Sequence, residues 1–113
     1  MEGRLPAHLE ISGLIRAVEA AGGFAMVIAK GERDAGTILV TCCENGENLR
    51  IFERLPHPDG TRQWTRIQPQ YTDNKEDISR YLGRRHDQDP DLWILELDVA
   101  NGERFIGLDP EKG

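Results

Sequence analysis

The sequence predicts an α+β domain in which a mainly antiparallel sheet of about five to six strands packs with two helices in two layers. Three observations predict it. Apolar segments alternate with turns rich in Gly, Asn and Pro, two stretches carry apolar residues at helical spacing, and most connections between strand segments are too short for parallel crossovers. The 113 residues fit one domain, residues 1–113, with a frayed tail predicted from about residue 108.

The first helix is predicted over about residues 12–21. Apolar residues recur at near-helical spacing between Leu9 and Val18. Ser12 is the candidate N-cap, because its hydroxyl oxygen can accept a hydrogen bond from a free N–H of the first turn. The pair Gly22-Gly23 ends the helix, since glycine accepts the left-handed conformation of a C-cap.

The middle of the chain is predicted as strands joined by tight turns. Segment 30–36, which contains two glycines, is interpreted as the hairpin turn between the first two strands, and Asn45-Gly46 favours a second hairpin. A turn at Pro58-Asp59-Gly60 precedes a more polar strand near a sheet edge. The four predicted strands cover residues 24–30, 37–43, 49–55 and 62–67.

A second helix and a final strand pair complete the prediction. Asp73 or Asn74 is the expected N-cap, an apolar stripe follows it, and Asp89-Pro90-Asp91 ends the helix. Residues 92–98 are predicted as a strand. Asn101-Gly102 is interpreted as the turn of a last hairpin that returns through residues 104–106.

Three of the strands, within residues 24–29, 38–43 and 92–97, are apolar on both faces. This pattern is typical of a sheet that is covered on both sides. Two short helices cover about one face, so the remaining face needs a helix of its own, a curled sheet or a second copy of the protein. The leading hypothesis is therefore a protein-interaction module without catalysis, either a homodimer or a subunit of a larger assembly.

Charge and hydropathy exclude several classes of partner. Fourteen Lys and Arg face twenty Asp and Glu, and the resulting net charge of −6 makes nucleic acid an unlikely partner. No apolar run approaches the ~20 residues that cross a bilayer. The first residues lack the basic flank and apolar core of a signal peptide, so we expect a cytoplasmic protein with no membrane association.

The residues that often hold metals do not form a recognisable ligand pattern. Asp87, Asp89 and Asp91 have calcium-loop spacing, but Leu92 stands where such a loop needs Gly. The three histidines, His8, His57 and His86, lack zinc-ligand spacing. The sequence therefore predicts no metal and no cofactor.

Nucleophilic residues carry no catalytic signature either. Cys42 and Cys43 are adjacent in a strand, so their side chains point to opposite faces and are interpreted as small apolar residues. Ser12 and Ser79 lie in predicted helices, away from any strand-to-helix elbow. No catalytic residue is predicted, and whether the protein is an enzyme stays open.

The alternative to an interaction module is a small anionic-ligand-binding protein or enzyme that uses a basic surface on the turns. Its candidate ligand-binding residues are Lys30, Arg33, Arg62 and Arg66. Segment 30–36 combines glycines with basic residues but lacks the spacing of a phosphate-binding loop. Trp64, between two of the arginines, could add a cation–π surface.

Gly22-Gly23-Phe24-Ala25, followed by Lys30-Gly31 and Asp34-Ala35-Gly36, resembles a small bacterial family, domain of unknown function 1491. Two later motifs agree in order and spacing: Asp59-Gly60-Thr61-Arg62-Gln63-Trp64 and Asp89-Pro90-Asp91-Leu92-Trp93. The resemblance covers about residues 4–106. It implies a cytoplasmic bacterial protein and transfers no catalytic residue, since the family has no assigned activity.

Overall fold

The structure, a computed structural model, describes residues 5–67 and 74–108. Its two α-helices are 14 residues each, and neither is long and apolar enough to span a bilayer. In chain order the elements are α1 (Ala7–Ala20), β1 (Phe24–Ala29), β2 (Ile38–Glu44), β3 (Glu47–Pro56), β4 (Arg62–Ile67), α2 (Lys75–Gln88), β5 (Trp93–Asp98) and a 3₁₀ helix (Gly102–Ile106).

The five strands form one mixed sheet in the order β1-β5-β2-β3-β4. All neighbouring pairs are antiparallel except β2 and β5, which are parallel. The prediction of a mainly antiparallel α+β sheet is therefore confirmed. The predicted hairpin across residues 30–36 is wrong, because β5 lies between β1 and β2. β5 is thus a central strand. A central strand lies beneath the layers on both sides of the sheet, which suits side chains that are apolar on both faces.

The two helices lie on opposite faces of the sheet, so the fold has three layers and the predicted two-layer arrangement is wrong. We call the two sides the α1 face and the α2 face. A hydrophobic core lies on each face, and alternate side chains of β2 pack into one core or the other, because successive strand residues point to opposite faces. The α1-face core contains Ala7, Ile11, Val18, Ile38, Val40, Cys42, Phe52, Trp93, Leu95, Leu97, Val99 and Ile106. The α2-face core contains Leu39, Ile51, Ile78, Leu82, Leu92 and Ile94.

α1 begins five residues earlier than predicted, at Ala7. The N–H groups of Ala7 and His8 donate to the carbonyls of Asp34 and Arg33, at 3.0 and 2.9 Å. These tertiary bonds satisfy the free donors of the first turn, so a capping side chain is not needed. Ser12 lies inside the helix, where its hydroxyl donates to the His8 carbonyl at 2.9 Å. The predicted N-cap at Ser12 is therefore wrong.

The end of α1 agrees with the prediction. Gly22 is left-handed, with φ of +87°. Its N–H donates to Glu19 O and the Gly23 N–H donates to Val18 O, each at 3.0 Å. These are the two hydrogen bonds of a Schellman motif, which turns the chain directly into β1.

The connection between β1 and β2 packs against the start of β5 instead of forming a hairpin. A Cβ atom added at Gly31 or Gly36 would lie 2.1 or 2.3 Å from the Asp91 carbonyl oxygen, so only glycine fits at either position. The Trp93 indole N–H donates to Glu32 O at 2.7 Å. This connection therefore contacts β5 as well as the first turn of α1.

The last predicted hairpin is wrong, because residues Gly102–Ile106 form a 3₁₀ helix. Both edges of β5 are already occupied, by β1 and β2, so a returning strand could not pair with it. Ile106 is buried in the α1-face core and Phe105 packs against that core. The segment thus covers the sheet instead of extending it.

α1, α2 and the 3₁₀ helix are each joined to β3 by a bidentate arginine–carboxylate ion pair, which is strong and directional. The three pairs are Arg54–Glu10 to α1 at 2.6 Å, Arg85–Glu53 to α2 at 2.7 Å, and Arg50–Glu103 to the 3₁₀ helix at 2.7 Å. The alternation along β3 places Arg50 and Arg54 on the α1 face and Glu53 on the α2 face.

Two predictions fall partly outside the described residues. Asp73 lies there, whereas Asn74 caps α2 by accepting from the N–H groups of Glu76 and Asp77. Residues 109–113 of the predicted frayed tail also lie outside them. Leu108, within the described part, donates its N–H to Glu103 O at 2.9 Å and packs against the α1-face core.

Candidate functional site

β1 is an edge strand that exposes large apolar side chains. Phe24 is 76% exposed, Met26 56% and Ile28 43%. We call these three residues the β1 edge patch. Ala25 and Val27, the alternate residues, pack against the α1-face core. The patch therefore belongs to the α2 face, where the buried residues of α2 pack on β2, β3 and the start of β5 and cover only Ala29 at the end of β1.

A groove of about 510 Å³ lies between α2 and the sheet, next to the β1 edge patch. The α2 wall is a row of residues spaced four apart, which therefore lie on one side of the helix. Two of them, Ser79 and Gly83, are small and leave the groove wide. The residues that line the groove include Lys75, Ser79, Gly83 and Asp87 from α2, Ile28 from β1, and Thr41, Cys43 and Glu96 from the strands that form its floor.

Three polar side chains on the floor of this α2 groove, together with Asp98 beside them, occupy adjacent strand positions. Thr41 pairs with Glu96 and Cys43 pairs with Asp98 across the parallel strands β2 and β5. Neighbouring strands are about 4.8 Å apart, so the four residues occupy the corners of a compact quadrilateral. We call these four residues the polar square. It separates the α2-face core from the β1 edge patch, because Met26 and Phe24 are the next cross-strand neighbours of Glu96 and Asp98.

The polar square is partly buried and contains a hydroxyl without a hydrogen-bond partner. Thr41 is 1% exposed, and its hydroxyl is the one buried side-chain oxygen or nitrogen of the described residues that lacks a hydrogen-bond partner. Asp98 Oδ1 accepts the Asn45 N–H at 2.7 Å, which holds that carboxylate in position. In the described part of the chain, neither Glu96 nor Asp98 has an ion pair with a basic side chain.

The two cysteines lie on opposite faces, as predicted, and both are free and buried. Burial, and next the nearby Glu96 and Asp98 carboxylates, raises the pKa of the Cys43 thiol to about 11. Burial, followed by the charge of Glu103, raises the pKa of Cys42 to about 12. Both thiols are therefore protonated near neutral pH, and neither has the thiolate character of a nucleophile.

The four predicted anion-binding residues do not converge. Lys30 and Arg33 follow β1 at one edge of the sheet, whereas Arg62 and Arg66 lie on β4 at the other. Four strand spacings, roughly 19 Å, separate these edges. The four residues therefore do not form one shared anion-binding site. Anion binding by either pair alone stays a prediction.

Near Lys30 and Arg33 the chain supplies its own anion. Glu32 Oε1 accepts the N–H groups of Ala35 and Asp34 at 2.6 and 3.0 Å. These backbone hydrogen bonds, led by that of Ala35, lower the pKa of the Glu32 carboxyl. The donors that a phosphate would use are thus already bound to a carboxylate.

Trp64 also has a partner that the sequence did not indicate. The Arg54 guanidinium stacks over its ring at 5.2 Å from the centroid, and the same guanidinium binds Glu10. Arg54 therefore links β3, β4 and α1 through this cation–π contact and its ion pair. Among the described residues, the arginine over Trp64 is Arg54 and not the expected Arg62 or Arg66.

The sequence did not predict that the four residues of the polar square lie together. Glu96 and Asp98 alternate with Leu95 and Leu97 in a strand that is otherwise buried, which is a visible signal of a polar position on one face. Their neighbours Thr41 and Cys43 become apparent only from the parallel register of β2 and β5.

Comparison with known proteins gives a consistent result. A family model described as "Protein of unknown function (DUF1491)" matches residues 5–107. No curated protein matches the chain.

Solved structures share the fold. A crystal structure of a DUF1491 family protein from Caulobacter crescentus CB15 is 32% identical, with a TM-score of 0.79 over 92% of this chain and 96% of that one. An NMR structure of a DUF1491 family protein from the same organism is also 32% identical, with a TM-score of 0.77 over 94% and 96%. A solution structure of a protein from A. tumefaciens is 28% identical, with a TM-score of 0.74 over 94% and 95%.

Proposed function

The chain belongs to the DUF1491 family, and we propose that it is a protein-interaction module that forms a homodimer through β1. The observation that carries the proposal is the β1 edge patch, three large apolar side chains that neither helix covers. An unpaired edge strand also presents free N–H and C=O groups to a second strand. The proposal includes a cytoplasmic location, with which two buried cysteines that form no disulfide are compatible.

A second copy fits this edge better than an unrelated strand because the patch is self-complementary. Antiparallel pairing of two β1 strands about Met26 sets Phe24 opposite Ile28 of the partner subunit, and the reverse. An aromatic residue opposite a β-branched residue is a favourable cross-strand pair. The two-fold axis would lie perpendicular to the sheet, so both patches would face the same side and form one apolar surface.

The composition of β1 also favours self-association. FAMVIA contains no charged residue and no proline, the usual devices that prevent edge strands from pairing. An extra residue, Ile28, forms a bulge between Val27 and Ala29 in the pairing with β5. The regular part of a β1–β1 ladder is therefore short, and side-chain contacts would supply most of its stability.

The size of the patch sets the expected affinity. The exposed area of three such side chains is on the order of half of the ~800 Å² that each partner buries in a standard interface, and lateral contact between two patches on one face buries only part of it. The like net charge of the two copies, −6 each, opposes association at low salt. We therefore expect a reversible dimer with a Kd of roughly micromolar order, and stronger association as salt increases.

Sedimentation velocity across a concentration series tests the dimer. Met26→Lys places a charge at the centre of the patch and should leave a monomer at every concentration. Gln63→Lys, on exposed β4 at the opposite edge, adds the same charge as a matched control and should dimerise like the parent protein. A parent protein that stays monomeric at hundreds of micromolar would contradict the proposal, as would a Met26→Lys variant that still dimerises.

The second candidate function is small-anion binding. Arg62 and Arg66 favour it, because both are exposed and neither guanidinium has a hydrogen bond or ion pair with another described residue. Lys30 and Arg33 form the other half of this candidate. Thermal-shift measurements with phosphate, sulfate and nucleotides should then show stabilisation that Arg62→Gln with Arg66→Gln removes, or that Lys30→Gln with Arg33→Gln removes. No stabilisation by any anion would eliminate this candidate.

A further inference from the structure

We propose that Cys43, Glu96 and Asp98 form a binding site for a divalent transition-metal ion, with zinc as the best chemical match. Their ligand atoms, one sulfur and two carboxylate oxygens, all lie within 4.8 Å of one another. The three residues come from two central strands of the sheet, whose register brings them together. The site is independent of the proposed dimer, because it depends on different side chains.

The geometry is close to that of a metal centre. Zinc bonds to sulfur at about 2.3 Å and to carboxylate oxygen at about 2.0–2.2 Å, so tetrahedral ligand atoms are roughly 3.5 Å apart. The distances between the three atoms therefore need to shorten by about 1.3 Å at most. Changes of side-chain torsion in Glu96 and Asp98, which are half-buried, can supply this movement without any shift of the backbone.

A second observation points independently to a ligand at this place. Thr41 lines the α2 groove next to Cys43 and Glu96, and its buried hydroxyl has no hydrogen-bond partner. Leaving a buried hydroxyl unpaired costs about 1–3 kcal/mol. A metal-bound water in the groove, beside Glu96, would give this hydroxyl a partner.

The charges around the site also favour a cation. Two carboxylates lie two residues apart on one face of β5, and no basic side chain in the described part of the chain forms an ion pair with either. Partial burial of a carboxylate favours a neighbouring cation, because solvent compensates its charge less fully than at the surface. Asp98 resembles a positioned ligand, because the Asn45 N–H holds one of its oxygens at 2.7 Å and leaves the other available.

The ligand types select the metal. Calcium and magnesium prefer sites made of oxygen alone, whereas a cysteine sulfur favours zinc and related transition metals. Binding converts the Cys43 thiol to a thiolate, and its proton leaves to solvent. Three protein ligands leave a fourth position open towards the groove, which is the pattern of zinc sites that accept water or a further ligand.

Isothermal titration calorimetry of the full chain with zinc chloride, after chelator treatment and in a non-thiol reductant, tests the site. One equivalent should bind, and Cys43→Ser and Glu96→Gln should each weaken the affinity at least tenfold. Cys42→Ser is the matched control, because it removes the neighbouring thiol from the opposite face of the same strand and should bind like the parent protein.

Cobalt(II) gives a second measurement, which reports whether a thiolate is among the ligand atoms. The parent protein and Cys42→Ser should show a thiolate-to-cobalt charge-transfer band in the near ultraviolet, and Cys43→Ser should not. Glu96→Gln keeps the proposal testable if Cys43→Ser does not fold. Absence of zinc binding to the parent protein, or binding that both Cys43→Ser and Glu96→Gln retain, would overturn the proposal and leave Cys43 as a simple hydrogen-bond partner of Asp98.

Discussion

The two faces of the sheet bury apolar surface to different extents. On the α1 face, α1 and the 3₁₀ helix cover a continuous core that includes β2, β3, β5 and the alternate residues of β1. On the α2 face, a smaller core lies under Ile78 and Leu82, and the rest of the face carries the polar square and the β1 edge patch. The α1 face therefore holds the larger part of the hydrophobic core, whereas the α2 face combines a smaller core with exposed apolar side chains.

The largest expected effect is on the α1-face core. Leu95→Ala removes a fully buried side chain from the central strand β5 and should lower the free energy of unfolding by about 2–5 kcal/mol. Met26→Ala, on the exposed patch of the α2 face, should change the stability of the monomer by less than about 1 kcal/mol. Urea denaturation at low protein concentration measures both. Equal losses from the two variants would remove the distinction between the faces.

An intermediate, pH-dependent effect is expected at the ion pair that joins β3 to the 3₁₀ helix. Hydrogen bonding from Arg50 lowers the pKa of the Glu103 carboxyl. Because the folded-state pKa is depressed, this stabilisation is complete above the ordinary value of 4.5 and is lost as the pH falls through the lower folded-state value.

Glu103→Gln should therefore lower stability at pH 7 and flatten the loss of stability between about pH 5 and the acid limit. Glu47→Gln, an exposed charge whose contact with Lys75 is 3.9 Å long, controls for the removal of one negative charge. Urea denaturation at a series of pH values provides the measurement. An unchanged pH dependence in Glu103→Gln would show that this pair contributes little to stability.

The smallest expected effect compares one glycine from each helix. Gly13 in α1 and Gly83 in α2 are exposed, and an added Cβ would meet nothing within 4 Å at either position. Gly13→Ala and Gly83→Ala should each raise stability by about 0.4–1 kcal/mol, because alanine has less backbone freedom to lose on folding.

Gly22→Ala is the matched control for these glycines. Its added Cβ is equally free of contacts, but φ of +87° disfavours any residue other than glycine, so stability should fall. Thermal or urea unfolding distinguishes the three variants. A loss of stability in Gly83→Ala would mean that the α2 groove is narrower than the structure indicates.

Local sequence patterns predicted most of the secondary-structure elements, but they did not predict which elements contact one another. The Gly22-Gly23 stop, the Asn74 cap and all five strands were predicted to within two residues, because each depends on side chains close in sequence. The start of α1 was missed because its first N–H groups bind the carbonyls of Arg33 and Asp34. No capping side chain marks such a start.

The candidate sites show the same division. The apolar residues of β1 were recognised, but β1 was expected to pair with β2, and its position as an exposed edge depends on β5 lying between them. The polar square could not be predicted, since Cys43 and Asp98 are far apart in the chain and become neighbours only through a parallel pairing. Arg62 and Arg66 lie on an edge strand as predicted, whereas Lys30 and Arg33 lie in a connection that is not a hairpin turn, and the sheet order separates the two pairs.

By itself the sequence determined where helices and strands form and that the central strands need apolar contacts on both sides, because these properties depend on side-chain periodicity and local backbone preference. The tertiary structure decided which strands are neighbours, which face each helix covers and which polar groups meet. Strand order and register are set by the packing of the whole sheet, and no local pattern within one strand encodes the identity of its partner.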